Sequence, residues 1–105
     1  MTSESLAAII QERIVAPFAP LKVILFGSRA RSDARPDSDV DILVVMPGAP
    51  DKRAAAIEMR RSLRDLPLGK DIVVSSPDEI ARRGNMPGSV LRAALRDGKV
   101  IFERS

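Results

Sequence analysis

Two short apolar runs that stand close together in the chain constrain the fold most. "LKVILF" spans Leu21 to Phe26 and ends at Gly27, and "DVDILVVM" spans Asp39 to Met46 and ends at Pro47. Runs of this length, rich in branched residues, read as buried strands. A parallel return requires a crossover of a dozen or more residues, usually a full helix, and the connection here is short, polar and marked by the turn residues Ala34, Arg35, Pro36 and Asp37. The two runs therefore predict a hairpin-like antiparallel pair, with a turn or short helix at Ser28 to Arg31 between them.

Elsewhere helices and strands alternate. Leu6, Ile10 and Ile14 recur at four-residue spacing behind a possible cap at Ser3, predicting a helix to about Val15 that Pro17 and Pro20 stop. Asp51 caps a second helix to about Asp65, with Ala56, Met59, Leu63 and Leu66 on one face and Arg53, Arg60 and Arg64 on a solvated one. Pro67 and Gly69 end it, and Lys70 to Ser75 reads as a third strand. Ser76, Pro77, Asp78 and Glu79 mark a helix start, "RRGNMPGS" from Arg82 to Ser89 interrupts that helix as an expected mobile loop, and a last helix runs from Ser89 to Arg96. Lys99 to Glu103 supplies a fourth strand after Gly98. The expectation is one α/β domain over residues 1–105, a small mixed sheet of about four strands flanked by helices.

Composition then limits the chemistry. The chain has no cysteine and no histidine, which excludes a disulfide framework, the usual zinc sites and histidine acid-base catalysis. Metal chemistry must use carboxylate oxygens, which suits magnesium or manganese. Without a long apolar stretch or a basic-then-apolar leader, a soluble cytoplasmic protein with no membrane contact is expected. Seventeen basic against fourteen acidic residues is a modest excess, and three Phe with no Tyr or Trp leave few stacking platforms, so nucleic acid is not expected as a direct ligand. Thirteen of the basic residues are arginines, which grip phosphate through paired donors, although a GC-rich genome produces the same bias.

Strands tolerate aspartate badly, so the placement of Asp39 and Asp41 at the mouth of a strand asks for compensation. One residue apart on a strand, the two side chains share a face. Paired carboxylates resist being charged together unless a cation accompanies them. In two-metal phosphoryl chemistry such ions lie about 3.5–4 Å apart and need carboxylates on a rigid support. Asp71 opens "DIVV" much as Asp41 opens "DILVV", so if those strands are neighbours, three carboxylates converge at one end. Two would hold metal, and the third could take the proton from an attacking hydroxyl or complete a second ion's shell. Gly27 and Ser28, at a strand end entering a helical turn, can cradle a phosphate; Arg29 and Arg31 could add charge-assisted contacts, and Ser38 keeps the loop polar. Each feature alone has a plainer reading, as a strand terminator, a cap or a strand-edge residue. Their combination is far more specific.

Gly27-Ser28, ten intervening residues, then Asp39-Val40-Asp41, set in "LFGSRAR" and "RPDSDVDILV", resembles the Gly-Ser-x10-Asp-x-Asp signature of the polymerase β-like nucleotidyltransferase superfamily, in particular its short members, the minimal nucleotidyltransferases. Length and element order are similar along the whole chain. The resemblance implies that fold, with Gly27 and Ser28 on the triphosphate and Asp39, Asp41 and Asp71 as catalytic, metal-binding carboxylates. It implies transfer of AMP from ATP, with magnesium, to an acceptor hydroxyl. Ser32 stands where relatives commonly have glycine, at a left-handed turn.

A chain of this length has no room for an acceptor-binding domain. The short members resemble the antitoxin half of bacterial toxin-antitoxin pairs whose toxin is a HEPN ribonuclease, which implies adenylylation of a tyrosine on that partner. Two other readings stay open: a noncatalytic antitoxin that neutralises by binding, through Arg60, Arg64 and the Gly84 to Gly88 loop, and a nucleotidyltransferase that works on a small molecule or an RNA end with a partner subunit.

Overall fold

A four-stranded sheet in the order β3-β2-β1-β4 carries the fold: β1 is Lys22–Phe26, β2 Val40–Val45, β3 Lys70–Ser75 and β4 Lys99–Glu103. The structure is a computed structural model that describes residues 3–31, 35 and 38–104. β1 and β2 pair antiparallel, from Lys22 opposite Val45 to Phe26 opposite Asp41, as the short polar connection predicts. β4 pairs antiparallel with the other side of β1. β2 and β3 run parallel, because a helical crossover joins them.

That crossover is α3, Lys52–Ser62, whose N-cap Asp51 accepts a hydrogen bond from the Ala54 amide at 3.0 Å. Its buried face, Met59 with Leu63 and Leu66 beyond the last turn, packs with Leu6, Ile10 and Ile14 on Val23, Leu25, Val40, Ile42 and Val44. The opposite sheet face carries Ile24, Phe26, Leu43 and Val45 under Leu91 and Ala94 of α5, Val90–Asp97, with Ile80 of α4, Pro77–Arg83, against them. Ser76 and Ser89 cap α4 and α5 through the amides of Glu79 and Arg92. Apolar residues alternate along β1 and β2 to serve two cores, so these strands read as unbroken apolar runs.

The first helix departs from the expected stop. α1, Ser3–Ile10, continues through a π-helical turn at Gln11–Val15 into a short α2, Ala16–Phe18, and so passes through Pro17. The π turn adds a residue, with the Ala16 amide reaching the Gln11 carbonyl, and Pro17 falls in the first turn of the next segment, where its missing N–H costs nothing. The true stop is Ala19, at φ 50°, whose carbonyl accepts from the Arg104 guanidinium at 2.6 Å. The second helix also ends earlier than expected, at Ser62, although Leu63 and Leu66 keep their buried positions. The Ser3 cap, Ser32 and the Pro36-Asp37 turn lie outside the described residues and side chains. Among the described residues no helix is long and apolar enough to cross a membrane.

Candidate active site

The parallel register sets Asp41 opposite Asp71, with Val40 opposite Lys70. Both strands start at the same edge of the sheet, so two carboxylates from residues thirty positions apart stand side by side on the α4/α5 face. Asp39 lies one residue before β2 at the same edge, and Val40 donates its amide to the Gly69 carbonyl at 2.8 Å, which pins the two strand starts together. Asp39 and Asp71 are exposed and Asp41 is half-buried.

Two glycines make room for these carboxylates. A Cβ on Gly27 would collide with Oδ2 of Asp41, and a Cβ on Gly69 would collide with Oδ1 of Asp39. Gly27 also has φ 75°, in the left-handed region that favours glycine. Asp41 thus leans toward the end of β1 and Asp39 toward the start of β3, instead of stacking as a bare pair on one strand face. Gly69 reads in sequence only as the residue that ends a helix; its position two residues before Asp71 was the available signal.

The electrostatics follow. Burial pushes the Asp41 carboxyl above the ordinary aspartate range, and the neighbouring charges of Asp71 and then Asp39 push it further, while Arg31 pulls it back. Arg31 therefore stands within electrostatic reach of Asp41. This all-oxygen, crowded donor set fits a hard divalent cation, which would relieve the repulsion. Among the described residues no three such side chains already stand close enough to hold one ion, so the carboxylates are gathered at one edge without being closed into a ligand cage.

Gly27–Arg29 forms a single 3₁₀ turn, with the Ala30 and Arg31 amides both directed at the Gly27 carbonyl at 3.1 and 3.3 Å. A turn this short has little dipole to offer an anion. Gly27 and Ser28 are nevertheless half-buried at the carboxylate edge. Arg29 is held inward. It is only 6% exposed, and its Nε and Nη2 donate to the Ser38 carbonyl at 3.1 and 2.7 Å. Its guanidinium is turned inward as a clamp on the residue before Asp39. Ser38 in turn accepts from the Arg35 amide through Oγ at 2.7 Å and donates its own amide to the Arg35 carbonyl at 3.0 Å.

Solved structures share this arrangement of elements. A protein of Sulfolobus solfataricus assigned provisionally as a nucleotidyltransferase is 26% identical, with 96% of this chain and 79% of that one covered at a TM-score of 0.63. A toxin-antitoxin complex with AMP-PNP is 18% identical, covering 100% of this chain and 76% of that one at a TM-score of 0.62. A mutant of the toxin-antitoxin pair MntA-HpeT, in which two aspartates one residue apart are replaced by glutamate, is 17% identical over the same shares, again at 0.62. These last two show likeness of fold. No curated protein matches the chain. The family model of the nucleotidyltransferase domain matches residues 6–100. With its carboxylates gathered at the edge where β2 and β3 begin, this chain belongs to the nucleotidyltransferase domain family.

Proposed function

We propose that the protein transfers AMP from ATP, with magnesium, to a tyrosine hydroxyl of a partner HEPN-type ribonuclease toxin in the cytoplasm, and acts as its antitoxin. The observation that carries this reading is the register of Asp41 on Asp71, with Asp39 beside them and a glycine cleared for each of Asp39 and Asp41. The toxin-antitoxin structures of similar fold, one of them with an ATP analogue, support the choice of partner and nucleotide. The chain has no tyrosine of its own, which agrees with modification of another molecule.

Asp39, Asp41 and Asp71 would hold the magnesium, which when bound supplies charge neutralisation on the phosphates. Gly27 and Ser28 admit the triphosphate close to the backbone, and Arg31 adds positive charge beside it. Arg29 and Ser38 act as positioning residues by fixing the approach to Asp39. The acceptor oxygen forms a bond to the α-phosphorus, the bond from that phosphorus to the oxygen bridging to the β-phosphate breaks, and pyrophosphate leaves with that oxygen. The acceptor proton passes to the Asp71 carboxylate and on to water.

The test is to incubate the purified protein with labelled ATP, magnesium and the toxin, and to compare it with Asp39→Ala and Asp41→Ala. Label on the toxin that falls about a hundredfold or more in both variants supports the reading. Full neutralisation by both variants with no label anywhere would sink it in favour of a binding-only antitoxin.

A further inference from the structure

Leu6, Ile10 and Ile14 stand four residues apart, a spacing that drifts by about 40° per step around an α-helix. The wider turn at Gln11–Val15 takes up that drift, and all three side chains stay buried. Two polar side chains of the same turn reach toward opposite edges of the sheet: Gln11 donates through Nε2 to the Ile101 carbonyl of the edge strand β4 at 3.4 Å, and Arg13 reaches the end of α3. π turns inside α-helices are rare and occur frequently at functional sites, so the destination of Arg13 is informative.

Arg13 forks onto the connection between α3 and β3. Its Nη1 donates to the Ser62 carbonyl at 3.0 Å and to Oδ1 of Asp65 at 2.9 Å, while Nη2 donates to Oδ2 of Asp65 at 3.0 Å. Ser62 is the last residue of α3, where a carbonyl has no partner within the helix. Paired donors on a carboxylate fix orientation as well as distance. An exposed ion pair adds little to stability, so the worth of this fork lies in where it holds the chain.

Residues 63–69 lead from that fork to the carboxylate edge. The Arg13 hydrogen bond holds the Asp65 carboxyl below the ordinary aspartate range, and the charge of Lys70, which opens β3, acts in the same direction. Asp65 is thus gripped by Arg13 and lies within electrostatic reach of the start of β3. Leu63 and Leu66 bury the connection, but apolar burial is non-directional and leaves its advance along the strand to the fork. At the end of the connection the Gly69 carbonyl accepts from the Val40 amide at 2.8 Å, and Oδ1 of Asp39 fills the space where a Gly69 side chain would stand. Any shift of Gly69 therefore reaches Asp39 directly. Resting on the reading of Asp39 as a metal ligand, we propose that Arg13 is a positioning residue for Asp39, acting through Asp65 and Gly69 from the α1/α3 side of the sheet.

The test reads metal binding without turnover. With the full chain, free Mn2+ is followed by electron paramagnetic resonance, and Arg13→Gln should raise the Mn2+ Kd about tenfold, as loss of a residue that orients a ligand does. Charge alone predicts the reverse, because removing a cation from the neighbourhood of the carboxylates tightens cation binding. Arg13→Lys, which restores the charge and part of the contact, should recover part of the loss. Amide exchange in the absence of metal supplies the second measurement: Arg13→Gln should speed exchange at Val40 about tenfold relative to Val44, whereas a general loss of stability speeds both alike. An unchanged or tighter Mn2+ Kd in Arg13→Gln overturns the proposal, as does equal acceleration at Val40 and Val44. If the unaltered chain binds no Mn2+, the metal reading fails, and the ratio of exchange at Val40 and Val44 still decides whether Arg13 fixes this edge.

Discussion

The carboxylate of Asp39 occupies the place where a side chain on Gly69 would stand. A residue of the connection between α3 and β3 therefore determines where a candidate ligand points. Gly69→Ala should leave the fold intact, since Gly69 is exposed and its backbone has no left-handed φ, yet displace Asp39. The expected result is an unchanged circular dichroism spectrum with transfer activity reduced tenfold or more, roughly the cost of about 1.4 kcal/mol in the barrier. Gly27→Ala should lose both activity and stability, because it adds about 1–2 kcal/mol of left-handed strain to the collision with Asp41.

Arg29 clamps the Ser38 carbonyl with two donors from a buried position. Lysine at that place offers a point charge without the fork. Arg29→Lys should cost about 1–3 kcal/mol in urea unfolding, and activity should fall with it because Ser38 leads directly into Asp39.

The crowding around Asp41 predicts a response to metal. Its carboxyl is raised above the ordinary aspartate range, so the folded chain holds that proton more tightly than the unfolded one. Without metal, its contribution to stability should decline as pH rises from the ordinary aspartate range through the raised value, and Asp41→Asn should remove that slope. Magnesium at a hundred times its Kd should stabilise the native chain by about 2.7 kcal/mol, read as a thermal shift that Asp41→Asn abolishes.

Glu79 titrates in the opposite sense. The hydrogen bond from Lys52, and then that from Ser75, hold its carboxyl below the ordinary glutamate range. Its contribution is therefore complete above that ordinary range and is lost as pH falls through the lowered value. Glu79→Gln should destabilise by up to about 1 kcal/mol near pH 6, given the exposure of Lys52, and the difference should vanish near pH 3.

Strands and helices were legible where burial imposes a period. The register of β2 on β3 followed from two similar strand openings, and Lys70–Ser75 and Lys99–Glu103 stand where the residue pattern puts them. The helix through Pro17 was not legible, because a π turn changes which amide is spare and leaves no mark in composition. Nor does a string of arginines reveal which one turns inward: Arg29 and Arg31 sit two apart in the same polar run, and only the fold sends one to a carbonyl and keeps the other at the surface. Gly69 was misread for a related reason, since helix ending and close approach both call for glycine.

The side-by-side placement of Asp41 and Asp71 also bears on the order in which the ladder assembles. Like charges oppose closure at one end, while Val44 opposite Val74 and Leu43 opposite Val73 draw the strands together further along. Zipping proceeds from the apolar end, and the charged end closes last and frays first. Amide hydrogen exchange should accordingly be faster at Val40 and Asp71 than at Val44 and Ser75, whose amides alternate into the same ladder, making catalytic competence a late reporter of complete folding.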